Sequence, residues 1–234
     1  MATNHSNTSN LKDEPHLKLL LGADSDFAAL TNTLKTFTSV KEVTMEVVYQ
    51  DFGEPEWHGP DVPAFFETIG RLPKLTSLCL DKLGLGCDSD DSDVPVELLT
   101  LLLKESAAKN QLQTLDMNTT YLSTRPEDNP GLEFMSFLGT LKSLKTLKKI
   151  HWEDCRFSDT IDLNQIFNAL GGLSSLKEVV IISNEEPDVL GNIQVEALEK
   201  LCEQCPALQT LQVGPFPFGE GFRLAELDAK TKKI

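Results

Sequence analysis

No stretch of this 234-residue chain approaches the run of about 18 apolar residues that a membrane-crossing helix requires. The first ten residues, Met1 to Asn10, are rich in Asn, Ser and Thr and lack the apolar core of a secretory leader. The five cysteines are odd in number and have no framework spacing, which argues against a disulfide-stapled scaffold and for a reducing compartment. From these absences we expect an intracellular, cytoplasmic protein. Positive charge is also scarce, with 21 Lys and Arg against 36 Asp and Glu and a net charge of -15. A field of that sign repels phosphate backbones and anionic lipid, so nucleic acid and membrane surfaces are poor partners, whereas a basic protein is compatible with it.

Signatures of chemistry are missing as well. There is no Walker phosphate loop, GxGxxG, GxSxG or HExxH. The acidic run Asp88 to Asp93 fails as a calcium loop because the sixth place holds Asp93 and the twelfth Leu99, where Gly and Glu are needed. It reads as a solvated loop. Cys202-Glu-Gln-Cys205 has no second ligand pair for zinc and closes a helical pattern directly before Pro206, so it reads as core. Cys79 and His151 fall at equivalent positions two strand spacings apart, roughly 10 Å, beyond the reach of about 3 Å that a nucleophile–base pair needs. The expectation is a protein that is not an enzyme, with no catalytic, metal or cofactor-binding residues and no cofactor.

What the chain does have is a repeat. The pattern aliphatic-x-x-aliphatic-x-apolar occurs as Val40-Val43-Met45, Leu75-Leu78-Leu80, Leu112-Leu115-Met117, Leu147-Ile150-Trp152, Leu176-Val179-Ile181 and Leu208-Leu211-Val213, with starts 35, 37, 35, 29 and 32 residues apart. Periods of this size mark stacked units, each too small to bury its own apolar face. Positions 1, 4 and 6 of a unit point inward, and 3, 5 and 7 alternate outward, as a strand requires. The pattern therefore predicts that Leu78, Leu115, Ile150, Val179 and Leu211 form one continuous buried ladder.

Between the strands, apolar residues recur at spacings of three and four, the signature of a returning helix. Helices are expected over 61–72, 94–108, 132–141, 166–173 and 195–205. Asp61-Val62-Pro63 and Asp93-Val94-Pro95 look like one helix-start signal used twice, with Asp as cap and Pro in the first turn. A degenerate first unit is expected as a strand over 17–21 and a helix over 27–37, and a short amphipathic helix over 223–233. Phe216, Phe218 and Phe222 read as a shield over the end of the stack.

These units resemble the leucine-rich repeat family, whose consensus is L-x-x-L-x-L-x-x-N/C-x-L. The best match is Leu147-Lys-Lys-Ile150-His-Trp152-Glu-Asp-Cys155-Arg-Phe157, while Thr120 and Asn184 stand at the ninth position of two other units and Leu83, Val48 and Phe216 depart from it. Strand-plus-helix repeats of this length are similar to the ribonuclease-inhibitor-like class. The resemblance implies an α/β leucine-rich-repeat solenoid, a horseshoe of about seven repeats with a parallel concave sheet and convex helices. The expected organisation is a disordered tail over 1–13, the solenoid over 14–218 and a C-terminal cap or tail over 219–234.

On that frame the outward positions give an acidic concave face, in which Glu42, Glu46, Asp81, Asp116, Glu153 and Glu178 oppose one lysine, Lys149. Strand-to-helix loops at 50–60, 81–93 and 123–131 gather on one rim, and Trp57 stands in the first of them, as an interface anchor or as a loop closed onto Phe52 or Phe65. The function expected is protein–protein interaction through the acidic face and this rim, with a basic surface as the partner chemistry. Two other functions follow from the resemblance. One is a regulator that activates small GTPases from rim loops, for which only Arg125 among the arginines is suitably placed. The other is the substrate-recognition part of a ubiquitin ligase, although no F-box-like helical segment is seen before Leu17.

Overall fold

A computed structural model describes residues 14–48, 57–83, 94–123, 130–157, 162–183, 193–215 and 225–226. Strands β1 (His16–Leu21), β2 (Glu42–Val47), β3 (Ser77–Asp81), β5 (Thr114–Asn118), β7 (Lys149–Glu153), β9 (Glu178–Ser183) and β10 (Thr210–Pro215) form a parallel sheet in that order, and β11 (Ala225–Glu226) adds to β10 antiparallel. Chain order is therefore spatial order across the parallel strands. A second, three-stranded parallel sheet joins β4 (Val94–Pro95), β6 (Tyr121–Ser123) and β8 (Arg156–Phe157). The helices α1 (Phe27–Leu34), α2 (Val62–Gly70), α3 (Val96–Lys109), α4 (Pro130–Ser143), α5 (Leu163–Leu170) and α6 (Val195–Gln204) each pack on the next in chain order.

The repeat explains this arrangement. Leu17, Val43, Leu78, Leu115, Ile150, Val179 and Leu211 are cross-strand partners in one unbroken row. From Val43 onward none is more than 1% exposed. A parallel row runs from Leu19 through Met45, Leu80, Met117, Trp152 and Ile181 to Val213, and the first positions of the units, Val40 to Leu208, are buried below it. Each such side chain contributes on the order of 2 kcal/mol when buried, and only a neighbouring unit supplies the cover. α2 and α3 approach so closely that a Cβ at Gly70 would collide with the Leu102 carbonyl.

The strands end in a shared turn that the sequence did not announce. Lys82, Thr119 and Asp154, all at position 8 of their units, adopt left-handed backbone with φ of 58°, 48° and 55°. Each N–H then donates to the position-7 carbonyl of the following unit: Lys82 to Asn118, Thr119 to Glu153 and Asp154 to Ile182. The turn is disfavoured for residues with a Cβ, and these inter-unit bonds offset its cost. One position further on, Thr120 and Cys155 are buried, and each closes a backbone acceptor. Thr120 Oγ1 donates to the Asn118 carbonyl at 3.0 Å, and Cys155 Sγ to that of Met117 at 3.2 Å.

Several expectations need correction. The two Asp-Val-Pro tripeptides are not equivalent. Val62 and Pro63 open α2, but Val94 and Pro95 are β4, and α3 begins only at Val96. Val94 pairs with Leu122, which draws it into the second sheet. Asp26 and Asp162 are the caps whose carboxylates accept from helix N–H groups. Within the expected helix over 223–233, Ala225 and Glu226 are strand, because β10 offers an open edge there. The expected tail over 1–13, the acidic run 88–93, Asn184, Phe216, Phe218, Phe222 and Arg125 lie outside the described residues.

Candidate functional site

Alternate residues of the parallel strands face away from the inner rows and form three outward rows. Third positions give His16, Glu42, Ser77, Thr114, Lys149, Glu178 and Thr210; fifth positions Lys18, Thr44, Cys79, Asp116, His151, Val180 and Gln212; seventh positions Leu20, Glu46, Asp81, Asn118, Glu153, Ile182 and Gly214. All six expected carboxylates therefore lie on one surface. Their surroundings differ sharply.

Glu46 is clamped between two lysines, Lys18 Nζ at 2.6 Å and Lys82 Nζ at 2.9 Å, and its side chain is only 18% exposed. Hydrogen bonds from these ammonium groups hold its pKa down at about 2. Asp81 is 3.9 Å from the same Lys82. Glu178 pairs with Lys149 at 3.3 Å, and Glu153 lies 3.6 Å from His151 Nε2. Glu42 is exposed and has no cation at ion-pair distance among the described residues. Asp116 sits mid-face with its Oδ1 buried and without a hydrogen-bond partner, and burial pushes its pKa upward.

The sequence reading placed Lys149 on the face but missed Lys18 and Lys82. Lys18 stands at the fifth position of the degenerate first unit, and reading that unit's outward positions would have found it. Lys82 had no sequence signal, because it reaches Glu46 only through the left-handed turn at position 8. Val180 is a second departure. It occupies an outward row between His151 and Gln212, yet is only 8% exposed.

Trp57 is not on an exposed rim. It is 1% exposed and sits among Phe27 and Phe66, with ring centroids 6.1 and 6.2 Å away, while Phe65 packs edge-on to both phenylalanines. An indole has more apolar area to gain from this aromatic cluster than from water, so Trp57 belongs to the core and is withdrawn as a contact residue.

Cys79, Asp116 and His151 are in register on three adjacent strands. Burial, and then the charge of Asp116, push the Cys79 thiol up to about 11, so it is protonated at neutral pH. Cys79, Cys155, Cys202 and Cys205 are all thiols rather than disulfides, and Cys205 Sγ donates to the Leu170 carbonyl at 3.3 Å inside the core. Among the described residues no group of three or more His, Cys, Asp or Glu is arranged to hold a metal ion, and no helix is long and apolar enough to cross a membrane.

No family profile matches the sequence, and no curated protein is significantly similar to it. Among solved structures, the chain is similar to a Bacteroides fragilis protein determined by a structural-genomics consortium, at 14% identity and a TM-score of 0.44 over 85% of this chain. The match spans about half of that protein, 51% of its length.

Proposed function

We propose that the chain is a leucine-rich-repeat solenoid of the ribonuclease-inhibitor-like type that binds a basic protein partner through the outward face of its sheet. Support for the fold comes from the in-register inner rows, the recurrent turn at position 8 and the buried Thr120 and Cys155 at position 9. The observation that carries the functional reading is the uneven neutralisation of the face. Glu46 is fully engaged by two lysines, but Glu42 has no cation at ion-pair distance among the described residues, and Glu153 and Glu178 remain 40% and 37% exposed beside one partner each. Core packing requires no carboxylate at any of these places. A face held by seven paired strands loses little conformational entropy when a partner docks, which leaves more of the contact energy as affinity.

The reading is tested by affinity capture from a native extract with the wild type and with a Glu42→Gln, Glu153→Gln, Glu178→Gln variant. The expected result is a set of basic proteins that bind the wild type at low salt, elute as salt rises and are lost with the variant, since exposed charges are screened beyond a Debye length of about 8 Å at physiological ionic strength. Binding that ignores both salt and the substitutions would remove the acidic face as the site.

A further inference from the structure

The two ends of the main sheet are closed differently. At the carboxy-terminal end the antiparallel β11 pairs with β10 at Gln212 and Val213. At the other end β1 has one neighbour, β2, and its far edge meets no strand among the described residues. The register fixes which backbone groups are open. The carbonyls of Pro15 and Leu21 accept from the N–H groups of Glu42 and Val48 on the β2 side. By alternation, Leu17 and Leu19 also face β2, which leaves the N–H and C=O groups of His16, Lys18 and Leu20 directed outward. Leu20 is 60% exposed, and Leu17 is only partly covered although it begins the buried row. A six-residue strand with one edge unpaired among the described residues is a template for another strand.

We propose that this edge is a self-association surface at which two copies join β1 to β1 antiparallel, about a two-fold axis through Leu19. The occupant follows from three features. Among the described residues only β1 of the seven parallel strands has an edge with no strand beside it, so pairing through it is isologous and stops at two copies rather than growing into a fibre. The open backbone groups lie on even-numbered residues, and a two-fold at Leu19 sets Lys18 opposite Leu20 of the second copy, so that these residues exchange both hydrogen bonds. The same register extends the inner row, with Leu17 opposite Leu21 and Leu19 opposite Leu19. It keeps Lys18 away from its own copy, whereas a two-fold at Lys18 would place the two ammonium groups side by side. Lys18 stays neutralised by Glu46 of its own chain, and its aliphatic stem lies along Leu20 of the second copy.

Each copy carries a charge of -15, so repulsion opposes the pair and salt favours it. Sedimentation velocity across a concentration series should show a monomer–dimer equilibrium with more dimer at about 0.5 M than at about 0.05 M salt, the opposite of the dependence expected for a basic partner. Leu20→Pro removes only an edge-facing donor and leaves the β2 pairing whole, so it should give a folded monomer, as read by its melting curve. Leu20→Lys keeps the backbone and sets a second cation beside Lys18, so it should also abolish the dimer if the proline variant does not fold. A wild type that stays monomeric at every concentration and salt, or folded Leu20 variants that dimerise like wild type, would overturn the proposal. Dimerisation that appears only after residues 1–13 are removed would overturn it too, by showing that the chain covers its own edge.

Discussion

Leu115 and Asp116 are neighbours in β5 and belong to rows of opposite character. The row of Leu115 is aliphatic from β1 to β10, whereas that of Asp116 reads Lys18, Thr44, Cys79, Asp116, His151, Val180 and Gln212. The inward row answers to a demand that each unit makes on the next, namely to exclude water from the same three slots, and one rule satisfies it along the whole stack. The outward row answers to no shared demand. Its residues are settled locally, by a lysine in one place, a histidine in another, and burial without a partner in a third. The inward face is thus the part of the molecule that is uniform and structural. The outward face is where one unit can differ from the next without loss of the fold, and so where recognition can be built.

The sharpest way to break this contrast is to put the same charge on both sides of one strand. Leu115→Asp buries an unpaired carboxylate in the inner row and is expected to cost on the order of 5 kcal/mol, enough to unfold a typical domain. Thr114→Asp, one residue earlier and opposite Lys149, should stay within about 0.5 kcal/mol of wild type. Denaturant titration of the two variants decides the matter. Comparable losses would mean that the outward face is as constrained as the inward one. A smaller effect is expected at position 9, where Thr120→Ala or Cys155→Ala removes a buried side-chain donor from a strand carbonyl and should cost about 1 kcal/mol. A neutral result there would show that the turn needs no polar closure, as at Leu83, which is also buried.

The same contrast explains which features could be read in advance. The inner rows were legible because a period of two within strands and about thirty-five between units is written in apolar residues, and six repetitions leave little room for chance. The helices were legible for the same reason, to within a few residues at each end. The turn at position 8 was not, because Lys82, Thr119 and Asp154 share a conformation but no chemical property that a sequence pattern could display. The candidate face was half legible. Period two placed its carboxylates correctly, but charge balance on a surface depends on which long side chains fold back onto it, and Lys82 arrives from outside the strand pattern. Trp57 stayed open between an interface anchor and a closed loop because a polar loop sequence does not reveal that Phe27 and Phe66 wait beneath it.

The smallest effect, and the finest test of how local the outward face is, lies in pH. Glu46 and Asp116 are carboxylates on the same surface with shifts of opposite sign. Hydrogen bonds from Lys18 and Lys82 lower the pKa of Glu46 from 4.5 to about 2, so its contribution to stability is fully present above pH 4.5 and is lost as pH falls from there toward 2. Burial raises that of Asp116 above its ordinary 3.8, so its ionised form is disfavoured and the wild type loses stability as pH rises through that window. Relative to wild type, Glu46→Gln should therefore be destabilised at neutral pH by an amount that fades on acidification. Asp116→Asn should be slightly stabilised at neutral pH, and that gain should also fade on acidification. Melting midpoints followed from pH 7 downward read both differences, and raised salt should shrink the first because the clamp is partly exposed. If both variants deviated from wild type in the same direction at neutral pH, the two carboxylates would be responding to the net charge of the face rather than to their own neighbours, and the distinction drawn between the rows would lose its physical basis.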